Sequence, residues 1–272
     1  MAAQYRSLAL RAACVAGLAW AAVAPAAAFA QQPFAITDAP SHGEFLSRFD
    51  FNMSAAKMAD PDPRFSWDIH WAGDFDLVDY VHGRVSFLAD YQALLGSEFR
   101  PFDPYQGNYT LEAMGSFRAG RTELVGVLSH VSRHLGDRFK RVAVAENSLG
   151  VRVMRQVTRE RTTIELRGDL RKVIARAYVD YTWFGDVDVT VRRPLSPRVG
   201  LYSRVLGQYT WMDPSVTGRD GQSSGRVEAG VRLSGTGGAV QLFAGAERVI
   251  DADQLDRQPQ QWAFAGFRLL GK

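Results

Sequence analysis

The amino-acid sequence predicts an all-β fold, an antiparallel transmembrane β-barrel of about 10–12 strands. Three observations carry this prediction. A two-residue rhythm of apolar and polar residues runs from position 64 to the end of the chain. The rhythmic segments span about 10–14 residues, where strands of soluble proteins average about five or six. A secretory leader precedes them.

Residues 1–30 read as that leader, a signal peptide. Arg6 and Arg11 give it a positive start, and the stretch from Ala12 to Val23 is apolar and Ala-rich. Ala28-Phe29-Ala30 fits a small-residue cleavage site, so the mature chain is expected to begin at Gln31. Pro25 and the short apolar core argue against a retained membrane helix. The one cysteine, Cys14, lies inside the leader. A mature chain without a thiol has no disulfide scaffold, no Cys metal site and no Cys nucleophile. No later stretch approaches the 18 or so apolar residues of a membrane helix. The 32 basic and 29 acidic residues leave a net charge of +3 and are spread along the alternating segments. That distribution gives no basic patch for nucleic acid. The expected location is the outer membrane of a bacterium, reached by export.

Residues 31–63 read as an irregular N-terminal arm. Pro33, Pro40 and the run 59–63 interrupt it, Asp62-Pro63 suits a turn, and 47–56 has the look of a short helix. The barrel is assigned to 64–272. Its first strand sets Phe65, Trp67, Ile69, Trp71, Gly73, Phe75 and Leu77 against Asp68, His70, Asp74 and Asp76. Successive side chains of a strand point to opposite faces, so one face is apolar and the other charged. The next strands are expected at 84–94, 108–118, 122–134 and 148–157, the last with Leu149, Val151 and Val153 on its apolar face. The remainder fall at 161–170, 173–183, 186–193, 198–211, 225–234, 238–249 and 260–270. Pro194-Leu195-Ser196-Pro197 and Gly235-Thr236-Gly237-Gly238 suit tight hairpin links. Longer loops are expected at 96–107, 136–147, 212–224 and 250–260. Aromatics at strand ends, among them Trp71, Tyr109, Trp183, Trp211, Trp262 and Phe264, suit interfacial girdles.

The charged face is assigned to the lumen, where buried ions must be paired. It includes Asp68, His70, Arg84, Asp90, Glu112, Arg152, Asp188, Arg204 and Glu228. Asp68 and His70 are candidate binding residues for a small polar solute. With Asp74 they form a same-face run that is a weak metal signal, so neither a metal nor a cofactor is expected.

One motif carries chemistry. In Ser129-His130-Val131-Ser132-Arg133-His134-Leu135-Gly136-Asp137, the residues His130, Ser132 and His134 share one strand face. Two imidazoles beside a hydroxyl supply a base and a nucleophile. Val125, Val127 and Val131 read as lipid-facing, which sends the three inward, although Leu124, Gly126 and Leu128 on their side are apolar too. Asp137 suits a loop-anchoring acid. Arg138, Lys140 and Arg141 are candidates for binding lipopolysaccharide phosphates.

His-x-Ser-x-His-Leu-Gly-Asp resembles the motif of an uncharacterised bacterial family of outer-membrane barrels, known only as a domain of unknown function. Ala59-Asp60-Pro61-Asp62-Pro63-Arg64-Phe65 resembles that family's N-terminal segment with the second Pro one place early, and Gly73-Asp74-Phe75 and Asp90-Tyr91 follow its pattern. The resemblance covers 59–160 and implies an outer-membrane location without an activity. A second resemblance is to the lipid A deacylases, which carry His-x-Ser-Asn and a later Glu. His130-Val131-Ser132 matches, Arg133 stands in place of the Asn, and Glu146 is the nearest downstream Glu, slightly further along than in that family. This resemblance implies a Ser132, His130 and Glu146 triad on the lipid-facing wall.

Three functional readings follow. The first is a non-enzymatic barrel that binds or passes small polar solutes or serves the envelope structurally. The second is a lipid A-modifying hydrolase using Ser132 and His130, with outer-membrane lipid and lipopolysaccharide as partners. The third is a soluble periplasmic binding barrel.

Overall fold

The computed structural model describes residues 38–139 and 142–271. The expected signal peptide lies outside them, as do Lys140 and Arg141. The described residues form twelve strands: β1 (Glu44–Ala59), β2 (Trp67–Asp79), β3 (Arg84–Gly96), β4 (Asp103–Ala119), β5 (Thr122–Leu135), β6 (Val144–Arg159), β7 (Thr162–Ala177), β8 (Tyr181–Pro194), β9 (Val199–Met212), β10 (Gln222–Ser234), β11 (Gly238–Val249) and β12 (Gln260–Gly271). Each strand pairs antiparallel with its neighbours, and β1 pairs with β12 from Asn52↔Leu270 to Ala59↔Ala263, which closes the barrel. Closure removes the sheet edge, so each strand's backbone groups have a ladder on both sides.

Two expectations about strand positions are corrected. Residues 44–59, read as irregular arm with a short helix, are β1. Its inward residues Asn52, Ser54 and Ala56 are polar or small, so the segment lacks the apolar–polar contrast that marks the other strands. The expected strands at 161–170 and 173–183 are one strand, β7, followed by the start of β8. A β-bulge interrupts the rhythm there: Asn147 pairs with Ala175 and Ser148 with Val173, leaving Ile174 as the extra residue.

The links sort by length. Short turns at 80–83, 120–121, 160–161, 195–198 and 235–237 share one end with the start of β1 and the finish of β12. The segments 60–66, 97–102, 136–143, 178–180, 213–221 and 250–259 share the other. The turn 120–121 needs Gly120 at φ 60°, which only glycine adopts freely. The segment 213–221 holds a short helix, α1 (Pro214–Thr217), capped by Asp213.

Alternation puts Leu111, Phe117, Leu124, Leu128, Val151, Leu201 and Trp211 on the outer wall. A soluble binding barrel would turn its apolar face inward. This one turns it outward, which removes the soluble reading. The inward face holds Arg–carboxylate pairs. Arg84 reaches Glu123 at 2.9 Å and Asp76 at 3.1 Å. Arg152 joins Asp169 at 2.8 Å to Glu112 at 3.0 Å. Arg204 meets Asp188 at 2.6 Å, and Arg268 meets Glu228 at 2.9 Å. The guanidiniums of Arg226 and Arg268 also lie over the rings of Phe264 and Phe243, at 4.0 and 4.7 Å from the centroids. Three cavities among these side chains hold about 20 to 30 Å³ each, room for a water or two, and a wider one of about 520 Å³ opens at the short-turn end beside Arg118 and Glu123.

The long-loop end is shut by 250–259. Ile250 packs with Val144, Val179, Tyr181, Phe184 and Met212, while Ala252 joins the cluster of Phe65, Tyr105, Phe243, Trp262 and Phe264. Phe65, Trp262 and Phe264 were expected on the outer wall and lie in the interior instead. Phe65 precedes β2 and folds over the mouth, out of phase with the strand. Polar ties complete the lid. Asp251 accepts from Tyr181 Oη at 2.6 Å and pairs with Arg219 at 2.6 Å. Arg219 also holds Asp180 at 2.7 Å, and Arg64 holds Asp253 at 2.6 Å and Asp62 at 2.7 Å.

Two measurements test this architecture. Arg268→Ala leaves Glu228 short of a buried partner and is expected to cost about 3–5 kcal/mol. The readout is a lower temperature for loss of the fast-migrating, unboiled species on a gel. An unchanged transition contradicts the pairing. The second concerns acid. Hydrogen bonds from Arg64 hold the Asp62 carboxyl below its usual range. At Asp180 burial pushes the value up, but hydrogen bonds from Arg219 and Thr217 outweigh it and leave the value lowered. Depressed carboxylates stabilise above their unfolded pKa of about 4, and the contribution is lost as pH falls through the folded values. Scaled to its cutting of the heat-denatured protein at each pH, pepsin is therefore expected to cut the loop segments held by Arg64 and Arg219 faster at about pH 2 than at about pH 4. Equal scaled cutting at both contradicts the ionic latch.

Candidate functional site

The alternation of β5 is reversed from the sequence expectation. Val125, Val127 and Val131 are buried inward, and Leu124 and Leu128 are about half exposed on the outer wall. Val125 and Val127 complete an apolar patch within the lumen with Leu88, Met114 and Met154. Both faces of β5 are thus apolar here, and composition could not tell them apart. His130, Ser132 and His134 consequently lie on the outer wall.

Their neighbours follow from register. His130 stands between Leu111 of β4 and Asn147 of β6, and Ser132 between Tyr109 and Ala145. His130 Nδ1 lies 2.7 Å from Asn147 Oδ1. An amide oxygen only accepts, so Nδ1 is the donor in this pair, and in a neutral imidazole Nε2 is then the acceptor. The Ser132 hydroxyl lies 3.3 Å from His134 Nε2. The His134 ring meets Tyr109 edge-on at 5.5 Å. Tyr109 continues a row of outward rings through Tyr91 at 4.9 Å to Trp71 at a further 5.8 Å. Such aromatic rows mark the boundary between hydrocarbon and headgroups. Ser132 precedes Gly136 by four residues, which at ~3.3 Å per residue and ~40° of tilt sets it roughly 10 Å below the loop.

The structure does not bring Glu146 to this group. Glu146 points inward, is 4 % exposed, and borders a small cavity with Arg133 and Tyr181. Asn147 occupies the outward position beside His130, opposite the bulge at Ile174. Bulges bend a strand and re-aim its side chains. Asn147 was missed because the expected strand began at 148. Its parity with Leu149, Val151 and Val153 places it on the outer wall.

The remaining candidates lie elsewhere. Asp137 has a positive φ of 50° and pairs with Arg100 at 2.7 Å. Arg138 is taken up by Glu98 and Asp103, each at 2.7 Å, and by the ring of Tyr105 at 4.7 Å. It clasps the loops 97–102 and 136–143. Asp68 and His70 are inward and nearly fully buried. His70 bonds Asp90 at 2.9 Å, Gln92 bonds Asp68 at 2.8 Å, and Arg48 takes Asp74 at 2.8 Å.

No protein-family model and no curated protein sequence matches this chain. Solved structures do. The outer membrane phospholipase of Salmonella typhi, a dimer with bound calcium, is 12% identical with a TM-score of 0.50, over 89% of this chain and 94% of that one. An active-site mutant of outer membrane phospholipase A from Escherichia coli, an asparagine-to-alanine change, gives the same four values. LpxR from Salmonella typhimurium is 7% identical, with a TM-score of 0.46 over 82% of this chain and 99% of that one. The fold is that of the bacterial outer-membrane β-barrels.

Spin labels test the orientation of β5. A nitroxide at Ser132→Cys in a bilayer is expected to relax with dissolved oxygen, and one at Val131→Cys to be shielded in the packed interior. The reverse pattern puts the motif back in the lumen.

Proposed function

We propose that this protein is a lipid-directed serine hydrolase that cleaves an acyl ester of outer-membrane lipid from the outer wall of its barrel. The observation that carries this reading is the His130–Asn147 hydrogen bond on the same wall as Ser132. Polar groups at lipid-facing positions are costly, and here they interrupt a surface of Leu111, Leu128 and Leu149. Together they have the parts of a nucleophile, a base and an orienting group.

In this reading Ser132 Oγ attacks the ester carbonyl while His130 Nε2 takes its proton. Asn147 fixes the ring and its tautomer. Collapse of the tetrahedral adduct breaks the ester C–O bond, and the proton passes from His130 to the departing alcohol. An acyl-serine remains for water to cleave. Asn147 suits the lipid-facing place better than Glu146, because a neutral amide orients an imidazole without setting a carboxylate against hydrocarbon. The Escherichia coli phospholipase named above also has an active-site asparagine. The ion-packed lumen does not favour passage of a solute.

The test is release of fatty acid from two substrates, phospholipid vesicles and bilayers containing lipid A, followed by mass spectrometry. Wild type is expected to deacylate one of them. Ser132→Ala is expected to fall to background, and Asn147→Ala to slow on the order of 10²-fold. Acyl release that survives Ser132→Ala, or none from wild type on either substrate, refutes the proposal.

A further inference from the structure

His134 has no place in the chemistry above, yet its Nε2 is 3.3 Å from the Ser132 hydroxyl. The two imidazoles stand on opposite sides of Ser132. His130 lies two residues deeper into the wall, half-buried and bonded to Asn147. His134 lies two residues nearer the loop 136–143, is exposed, and is steadied by the edge of Tyr109. An acyl enzyme on the outer wall has hydrocarbon on its deep side and water only on its loop side.

We infer that the two steps of the reaction use different bases, with His130 serving acylation and His134 serving deacylation. The inference rests on the hydrolase reading. In deacylation a water between His134 and the acyl-serine attacks the acyl carbonyl carbon, and His134 Nε2 takes one of its protons. Collapse of the adduct breaks the bond between the acyl carbon and Ser132 Oγ. The proton passes from His134 to Oγ, and the fatty acid departs with the hydroxyl group of the water. Both residues return to their starting forms, and no co-reactant besides water is consumed. Before substrate arrives, the Ser132 hydroxyl rests on His134 and must turn toward His130 to react.

The experiment uses the full-length protein in detergent micelles with p-nitrophenyl octanoate as the probe. Burst amplitude reports acylation, and the steady-state rate reports deacylation. His134→Gln is expected to keep a burst of about one equivalent while steady turnover drops on the order of 10²-fold. An octanoyl adduct on Ser132 is expected to accumulate by intact mass. Hydroxylamine, which attacks esters without a base, is expected to discharge it. His130→Gln is expected to lose the burst. His134→Asn should match His134→Gln, and gel mobility before boiling reports whether each variant is folded.

If folded His134→Gln turns over like wild type, or loses its burst as His130→Gln does, the division of labour is wrong. If His134→Gln and His134→Asn both fail to fold, His134 is a structural residue and the inference is likewise overturned. A wild type that does not turn the ester over, or whose turnover survives Ser132→Ala, instead removes the hydrolase reading beneath it.

Discussion

Charge inside a lipid-embedded barrel has no bulk water to fall back on, and the requirement that it be paired organises the rest of this molecule. An isolated buried ion costs several kcal/mol, and removing one partner of a pair exposes that cost. The interior answers with arginine. Its planar group takes two carboxylates at once, as at Arg84 and Arg152, or lies on a ring, as at Arg226 and Arg268. Filling the lumen in this way leaves spaces of about 20 to 30 Å³ along its middle and long-loop end, and a wider one only at the short-turn end. The same rule extends to the mouth, where Arg64 and Arg219 hold the acids of 250–259.

The polar groups on the outer wall are of a different kind. There the energetics invert, and what lipid tolerates is neutral hydrogen-bonding groups that satisfy one another. Asn147 with His130, and Ser132 with His134, meet that condition. Glu146, one residue from Asn147, turns its carboxyl to the ionic side. Strand parity separates two adjacent side chains into two chemical environments, and the bulge at Ile174 adjusts the wall where the separation matters.

Much of this was legible in the chain. Period-two alternation over long segments predicted the closed antiparallel barrel and the inward acids and arginines. Strand β1 was hidden because small and polar residues fill its inward face, which leaves no contrast to read. The facing of β5 was hidden for the opposite reason, since the apolar patch of Val125 and Val127 mimics a lipid-facing surface. Asn147 was out of reach because its partner is set by cross-strand register, which no single segment encodes. Phe65, Trp262 and Phe264 show the same limit: an aromatic at a strand end serves a girdle or an inner cluster equally well, and packing decides.

The outward placement of Ser132 carries a consequence of dimension. A group on the barrel's outer wall meets lipids by lateral diffusion within one leaflet, so the concentration that governs encounter is moles per area and not moles per volume. Diluting the lipid with inert amphiphile at fixed bulk concentration thins the encounters in proportion, while adding more membrane of the same composition leaves them unchanged. The lid at 250–259 plays no part in that access. Closed or open, it guards a lumen that the outward side chains do not use.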